Sequence, residues 1–370
     1  MTIDDAWLLR RRMRSQLPAT GAPDGPPAAA GPAAVAAVAG RAAGIQAQDA
    51  PAARLGLRAR GVPSPDRIER AYAAGAVVGS WLMRGTLHLV PAADLPWLLG
   101  VFGARNLAAG AGRRRELGLT EEVCARAVEV LPEVLREPLG RAELIAGLIA
   151  RGVPVDPTGQ APAHLVAYAA ARGLLHRGAE VAPREPGYVL REGPPPEPAD
   201  DAGLARLARY YLAGFGPAGA PDLAAWSGLP LTLCRRALAL AAPPEVAPGL
   251  FAAPGLFAAP GREPPQGGVR VRLLGRWDGY LLGYRDRTLM LDPAYAKRIN
   301  AGGGVVHPAL VADGRVVGRW RIDRARGAAT ALSVEPFGPL AGPVREALRH
   351  EAGAVAEFLG EELALRVAGA

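Results

Sequence analysis

The chain has 370 residues, half of them apolar, and a formal net charge of +8. That length suits two or three domains with a sizeable core, and the apolar content excludes disorder along the whole chain. Two distant cysteines, Cys124 and Cys234, exclude a disulfide framework and a cysteine zinc site, and no window offers the roughly 18 unbroken apolar residues of a membrane span.

Asp4 to Leu17 predicts a helix with Arg10, Arg11, Arg12 and Arg14 spread over its surface. The acidic pair Asp4-Asp5 ahead of that cluster does not make a signal peptide, so a soluble cytoplasmic protein is expected. A Gly/Pro-rich break (Gly21 to Pro27) precedes an alanine-rich helix from Pro32 to Ala43. Next comes Gly44-Ile-Gln-Ala-Gln-Asp49. Two amides at i and i+2, Gln46 and Gln48, cannot share a helix face, but they can in an extended segment. An ordinary polar boundary at a helix end is the alternative reading, and both stand at this point. An arginine-bearing segment (Arg54, Arg58, Arg60) leads to a helix opened by Ser64-Pro65, a usual N-terminal signal. Val77 to Met83 and Thr86 to Val90, separated by Arg84-Gly85, predict a hairpin.

The order then recurs. Helices are expected over Thr120–Arg136, Leu139–Gly152 and Ala161–Gly173, a strand over Tyr188–Arg191, and a linker over Gly193–Pro198. A third unit begins near Ala202, with Phe215–Leu229 and Thr232–Leu240 resembling a helix-turn-helix. After a second Pro/Gly-rich stretch (243–268) come strand-like runs over Val269–Leu274, Thr288–Leu291, Val305–Val311 and Val316–Ile322. Asp313-Gly314 is a strong hairpin turn between the last two, and a helix over Val344–Leu359 closes the chain. The expected fold is α+β and mainly helical, in three tandem helices-then-hairpin units: 1–117, 118–196 and 197–370.

Familiar catalytic patterns are missing. His88, His164, His176, His307 and His350 show no metal-ligand spacing, and there is no Walker lysine motif and no nucleophile elbow. No metal or cofactor is expected. The positive charge fits a partner with a phosphate backbone. The near absence of lysine, Lys297 being the only one, beside inflated Ala, Gly, Pro and Arg fits a GC-rich coding bias equally well.

Gly79-Ser-Trp-Leu-Met-Arg-Gly-Thr-Leu-His-Leu-Val-Pro91, with the glutamine segment before it, resembles the AlkZ-type bacterial DNA glycosylases. These belong to a tandem winged-helix family that also includes the YcaQ-like (AlkX) enzymes. Gly214-Phe-Gly-Pro217, Asp222–Gly228, Gly279–Arg287 and His307–Trp320 extend the resemblance over nearly the whole chain. It implies three winged helices around a DNA-binding channel and a catalytic Gln-aliphatic-Gln motif, which falls on Gln46, Ala47 and Gln48. It also implies release of N7-alkylguanine, including bulky adducts and interstrand crosslinks made by genotoxic natural products, often as self-resistance.

N7-alkylguanine already carries positive charge, so it leaves without a general acid, and two neutral amides suffice to orient a water. A β-lyase step needs an amine, and beside the N-terminus Lys297 is the only side-chain candidate, so monofunctional hydrolysis is expected. Arg84, Thr86 and His88 are candidate DNA contacts at the first hairpin, and Arg285, Arg287 and Arg315 are candidate backbone contacts. A half-buried histidine and solvated arginines are the alternatives. The expected partner is duplex DNA carrying alkylated guanine, bound by a monomer away from any membrane. A winged-helix regulator without catalysis is the competing function.

Overall fold

The computed structural model describes residues 4–17, 31–254, 269–324 and 329–369. The break at 21–27 and the stretch 255–268 lie outside the described residues. The fold is α+β and mainly helical, as expected.

Helix α1 (Asp5–Gln16) starts on Asp4, whose carboxylate accepts the Trp7 N–H at 2.6 Å. It is not the solvated arginine face expected, because Arg11 and Arg12 are buried. The Arg12 Nε donates to the Pro217 carbonyl, and its guanidinium lies 4.1 Å from the Tyr284 ring centroid and 3.6 Å from Asp222.

The first unit runs α2 (Pro32–Arg41), β1 (Ile45–Gln46), α3 (Ala50–Ala59), α4 (Pro65–Ala73), β2 (Val77–Trp81) and β3 (Leu87–Pro91). The pair β2–β3 is the expected hairpin, closed by a 3-10 turn at Met83–Gly85. The long α5 (Leu95–Glu116) follows. The sequence pattern does not predict it, because glycines at 100, 103, 110 and 112 lower its helix propensity. Gly100 has a packing reason. A Cβ there would strike the Glu197 carbonyl, and the Gly100 carbonyl accepts the Ala199 N–H at 3.0 Å. The 193–198 segment is thus pinned along α5.

The second unit is α6 (Glu121–Val134), α7 (Arg141–Ile149), α8 (Ala161–Ala171), β4 (Leu175–Ala182) and β5 (Glu185–Leu190). The third is α9 (Asp201–Phe215), α10 (Ala220–Ser227), α11 (Leu231–Ala241), β6 (Glu245–Ala247) and β7 (Leu250–Phe251). The helices-then-hairpin order therefore occurs three times. The first two hairpins join through β2 and β4 into one sheet, ordered β1-β3-β2-β4-β5.

Beyond lie β8 (Val271–Leu274), α12 (Gly279–Leu282), α13 (Ala296–Ile299), β9 (Asn300–Gly302), β10 (Val305–Val306), β11 (Ala309–Ala312), β12 (Arg315–Asp323), β13 (Ala331–Pro336), α14 (Gly342–Leu359) and β14 (Ala364–Val367). A second sheet, β14-β13-β12-β11-β8, forms a core with α14 through Leu273, Leu310, Trp320, Leu332 and Val355. Asp313 (φ 46°) and Gly314 (φ 86°) make the expected turn between β11 and β12, both in the left-handed region that a tight hairpin demands.

Two strand expectations fail. Thr288–Leu291 is a turn, because the Asp286 carboxylate takes both the N–H and the hydroxyl of Thr288 and the Arg287 carbonyl takes the N–H of Met290 and Leu291. Val305–Val311 is split into β10 and β11 by His307-Pro308. Among the described residues no helix is long and apolar enough to cross a membrane.

Candidate active site

The glutamine strand is set by what lies on either side of it. Gly44 (φ 84°) turns the chain out of α2, and a Cβ there would press on Met83 and Val90 at 3.2 Å. On the far side Asp49 caps α3, accepting the Ala52 N–H at 2.8 Å. Between them the backbone is extended, with Ile45 opposite Leu89 and Gln46 opposite His88 on β3. Ile45 and Ala47 point into the first unit's core with Leu57, Ile68, Leu87 and Leu89. Gln46 and Gln48 point the other way. The two amides share one face, and Gln46 Nε2 donates to Gln48 Oε1 at 3.1 Å. Gln48 is exposed, whereas Gln46 Oε1 is buried and accepts no hydrogen bond.

The glutamine face continues across the sheet. His88 is opposite Gln46 on one side and Ser80 on the other, so Gln46, His88 and Ser80 form one cross-strand row. Next along the same face, Val78 and Val90 join the large core built from α1, α5 and the third unit. The row is the polar end of an otherwise apolar face.

Ser80 is fully buried and its hydroxyl has no partner. His88 is 3% exposed, and its Nδ1 sits 2.9 Å from the Thr86 carbonyl. A carbonyl only accepts, so Nδ1 carries the hydrogen and Nε2 keeps a lone pair. Desolvation, reinforced by Arg84, pushes the imidazole down to about 3, so it is neutral between pH 5 and 8.

The other expected contacts fall into two places. Arg84 (φ 53°) stands at the 3-10 turn, and its guanidinium donates to the Trp226 carbonyl at the end of α10. Desolvation and the nearby Arg287 lower it to about 10, leaving it charged at neutral pH. Thr86 turns inward: its hydroxyl donates to the Met83 carbonyl at 3.0 Å and its own carbonyl holds His88. Arg287 is half-buried and donates to Asn300 Oδ1 at 3.2 Å. Arg285 and Arg315 lie elsewhere, with Arg12, around a cavity of about 550 Å³.

One basic surface was not anticipated. A groove of about 600 Å³ runs where the first hairpin turn, α5, α8 and the end of α10 meet. Arg84, Arg105, Arg113 and Arg114 line it with Tyr168 and His164, and among the described residues no carboxylate does. Arg114 stacks on Tyr168, 4.9 Å from the ring centroid. Desolvation, together with the nearby Arg113 and Arg114, depresses His164. The Arg113-Arg-Arg115 run is visible in the sequence, but its place depends on α5, which glycine hid. Among the described residues no group of three or more His, Cys, Asp or Glu side chains is placed to hold a metal.

Comparison with known proteins agrees with this architecture. Over 312 residues the chain is 28% identical to an interstrand DNA cross-link repair glycosylase of Streptomyces sahachiroi, covering 77% of this chain and 81% of that protein. The solved structure of Streptomyces sahachiroi DNA glycosylase AlkZ superposes with a TM-score of 0.77 at 26% identity, over 99% of this chain and 100% of that one. The model of the AlkZ-like DNA glycosylases matches residues 39–358. The chain accordingly belongs to the AlkZ-like family of DNA glycosylases, enzymes that hydrolyse N-glycosyl bonds.

Proposed function

We propose that this glycosylase releases N7-alkylguanine from duplex DNA, with bulky adducts or interstrand crosslinks from a genotoxic natural product as its substrates. The observation that carries the reading is the pair Gln46 and Gln48 on one face, with a buried, unpartnered acceptor at Gln46 Oε1. A buried acceptor is costly unless something donates to it, and an attacking water does so. The cationic base needs no acid to leave, and a site without a carboxylate or cation in its row neither traps nor repels it. The relative's name points the same way as to crosslinks. In this reading the three helices-then-hairpin units are winged helices, bounded near 1–117, 118–196 and 197–370, and the protein protects the DNA of the cell that meets the toxin. Lys297 is exposed on α13, outside the sheet that holds the glutamines, which suits hydrolysis without a Schiff base.

Duplexes carrying one 7-methylguanine, and duplexes crosslinked through guanine N7, test this by chromatography of the released base. Free base, with no borohydride-trapped protein–DNA species, is expected. A protein that frees no base and instead selects one undamaged sequence would be a regulator, and the reading would be abandoned.

The arginine groove is where this reading seats backbone phosphates. Arg105→Ala with Arg113→Ala is expected to weaken duplex binding and to flatten the salt dependence by about two phosphate contacts. The base-release rate at saturating protein should change far less than the affinity. Anisotropy titrations across salt concentrations measure the first, and single-turnover kinetics the second. An unchanged salt slope would remove the groove from the DNA interface.

A further inference from the structure

His88 lies between two side chains left unsatisfied by the interior. Gln46 Oε1 and Ser80 Oγ are buried without partners, and both residues are ladder neighbours of His88. The Ala47 N–H donates to the Leu87 carbonyl at 2.8 Å, which makes 47–87 a hydrogen-bonded position of the ladder. Gln46 and His88 therefore occupy the non-hydrogen-bonded position, where side chains approach most closely. With Nδ1–H tied to the Thr86 carbonyl, the imidazole keeps its lone pair on Nε2. Two residues with a free acceptor are thus paired across adjacent strands. Together they can take both hydrogens of one water, turning its oxygen lone pair outward.

We infer that His88 is a catalytic base in this site: its Nε2 orients the attacking water together with Gln46 Oε1 and takes the proton that the water must lose. The inference rests on the glutamine reading above. In the step, the C1′–N9 bond breaks and its electron pair stays on the base, cancelling the charge of the alkylated ring. The C1′–O bond forms from the water lone pair. One water proton then passes to Nε2 and on to solvent. An amide is too weak a base for that transfer, and His88 is the one titratable side chain in the row. Its low basicity does not prevent the transfer, because a water bonded to the C1′ cation is a far stronger acid than an imidazolium. Arg84 is the charged group felt at the ring, and it helps keep the resting imidazole neutral. A neutral ring keeps its lone pair and adds no cation opposite an oxocarbenium-like centre.

The test is single-turnover release of 7-methylguanine from duplex DNA by full-length wild type, His88→Phe, His88→Gln and His88→Ala, with DNA affinity and thermal unfolding measured beside it. His88→Phe is expected to lose at least about 100-fold in rate at saturating protein while duplex affinity stays within about twofold. His88→Gln keeps an acceptor near the Nε2 position and should recover part of the orientation. Added imidazole should speed His88→Ala and leave wild type unchanged, a response that a purely structural histidine would not give. The wild-type rate should be level from pH 5 to 8.

Wild-type speed in His88→Phe overturns the inference. So does a rate loss that follows lost affinity or lost folding in every variant with no imidazole rescue. If Gln46→Ala with Gln48→Ala is as fast as wild type, the glutamine reading falls and His88 falls with it. A loss in the glutamine variant with none in His88→Phe refutes His88 alone.

Discussion

Gln46→Ala is expected to slow base release at saturating protein by roughly 10²–10³-fold, about 2.7–4 kcal/mol of transition-state stabilisation, with little change in duplex affinity. Gln46 is the half-buried member of the pair and carries the unpartnered acceptor, which is why the proposal above seats the reacting water on it. Gln48 is exposed and receives the Gln46 amide hydrogen, so in the same proposal its part is to orient Gln46. Gln48→Ala alone should therefore cost less, on the order of 10-fold, the scale of one oriented hydrogen bond. Single-turnover kinetics on 7-methylguanine duplexes separate the two. A larger loss in Gln48→Ala than in Gln46→Ala would reverse the assignment.

Arg60→Met carries the largest expected effect on stability. Arg60 is 2% exposed, and its guanidinium meets both Asp278 carboxylate oxygens at 2.8 Å, Gln16 Oε1 at 2.6 Å and the Gly56 carbonyl at 2.8 Å. Gln16 in turn donates to the Gly214 carbonyl at 3.0 Å. One cluster thus joins α1, α3, α9 and the start of α12. Removing one partner leaves a buried carboxylate without its cation, at a cost of about 3–5 kcal/mol. Arg60→Met with Asp278→Leu should recover part of that loss, because neither charge then remains, although Asp278 also caps α12 through the Tyr280 N–H. Urea unfolding of the three proteins measures it. A loss under about 1 kcal/mol in the single variant, the range of an exposed ion pair, would mean that water reaches the cluster. Because α3 begins just beyond Gln48, the single variant should also lose catalytic rate before it loses its fold.

The arginines show where sequence reasoning stopped. Arg54 and Arg58 lie on one short helix that Arg60 ends, and the three look alike in the chain. All three are engaged in ion pairs within the protein: Arg54 with Glu69 and Glu180, Arg58 with Glu351 of α14, Arg60 with Asp278. Arg11 and Arg12 are likewise buried. The basic groove draws instead on Arg105, Arg113 and Arg114 of α5. An arginine's partner is chosen by residues up to hundreds of positions away, and Arg58 and Glu351 are 293 apart. No local pattern records that choice.

What the sequence determined by itself is local and periodic. The two-residue spacing of Gln46 and Gln48 puts both on one face of any extended segment, whatever surrounds it. Asp313-Gly314 carries its own turn, Asp4 and Thr120 cap the helices that follow them, and a single lysine limits amine chemistry from composition alone. Tertiary structure decided the rest. It set His88 between Gln46 and Ser80, because strand register depends on which cores claim Ile45, Leu89, Val78 and Val90. It also held that histidine neutral, because desolvation is a property of everything packed around a side chain and of nothing in the residues beside it.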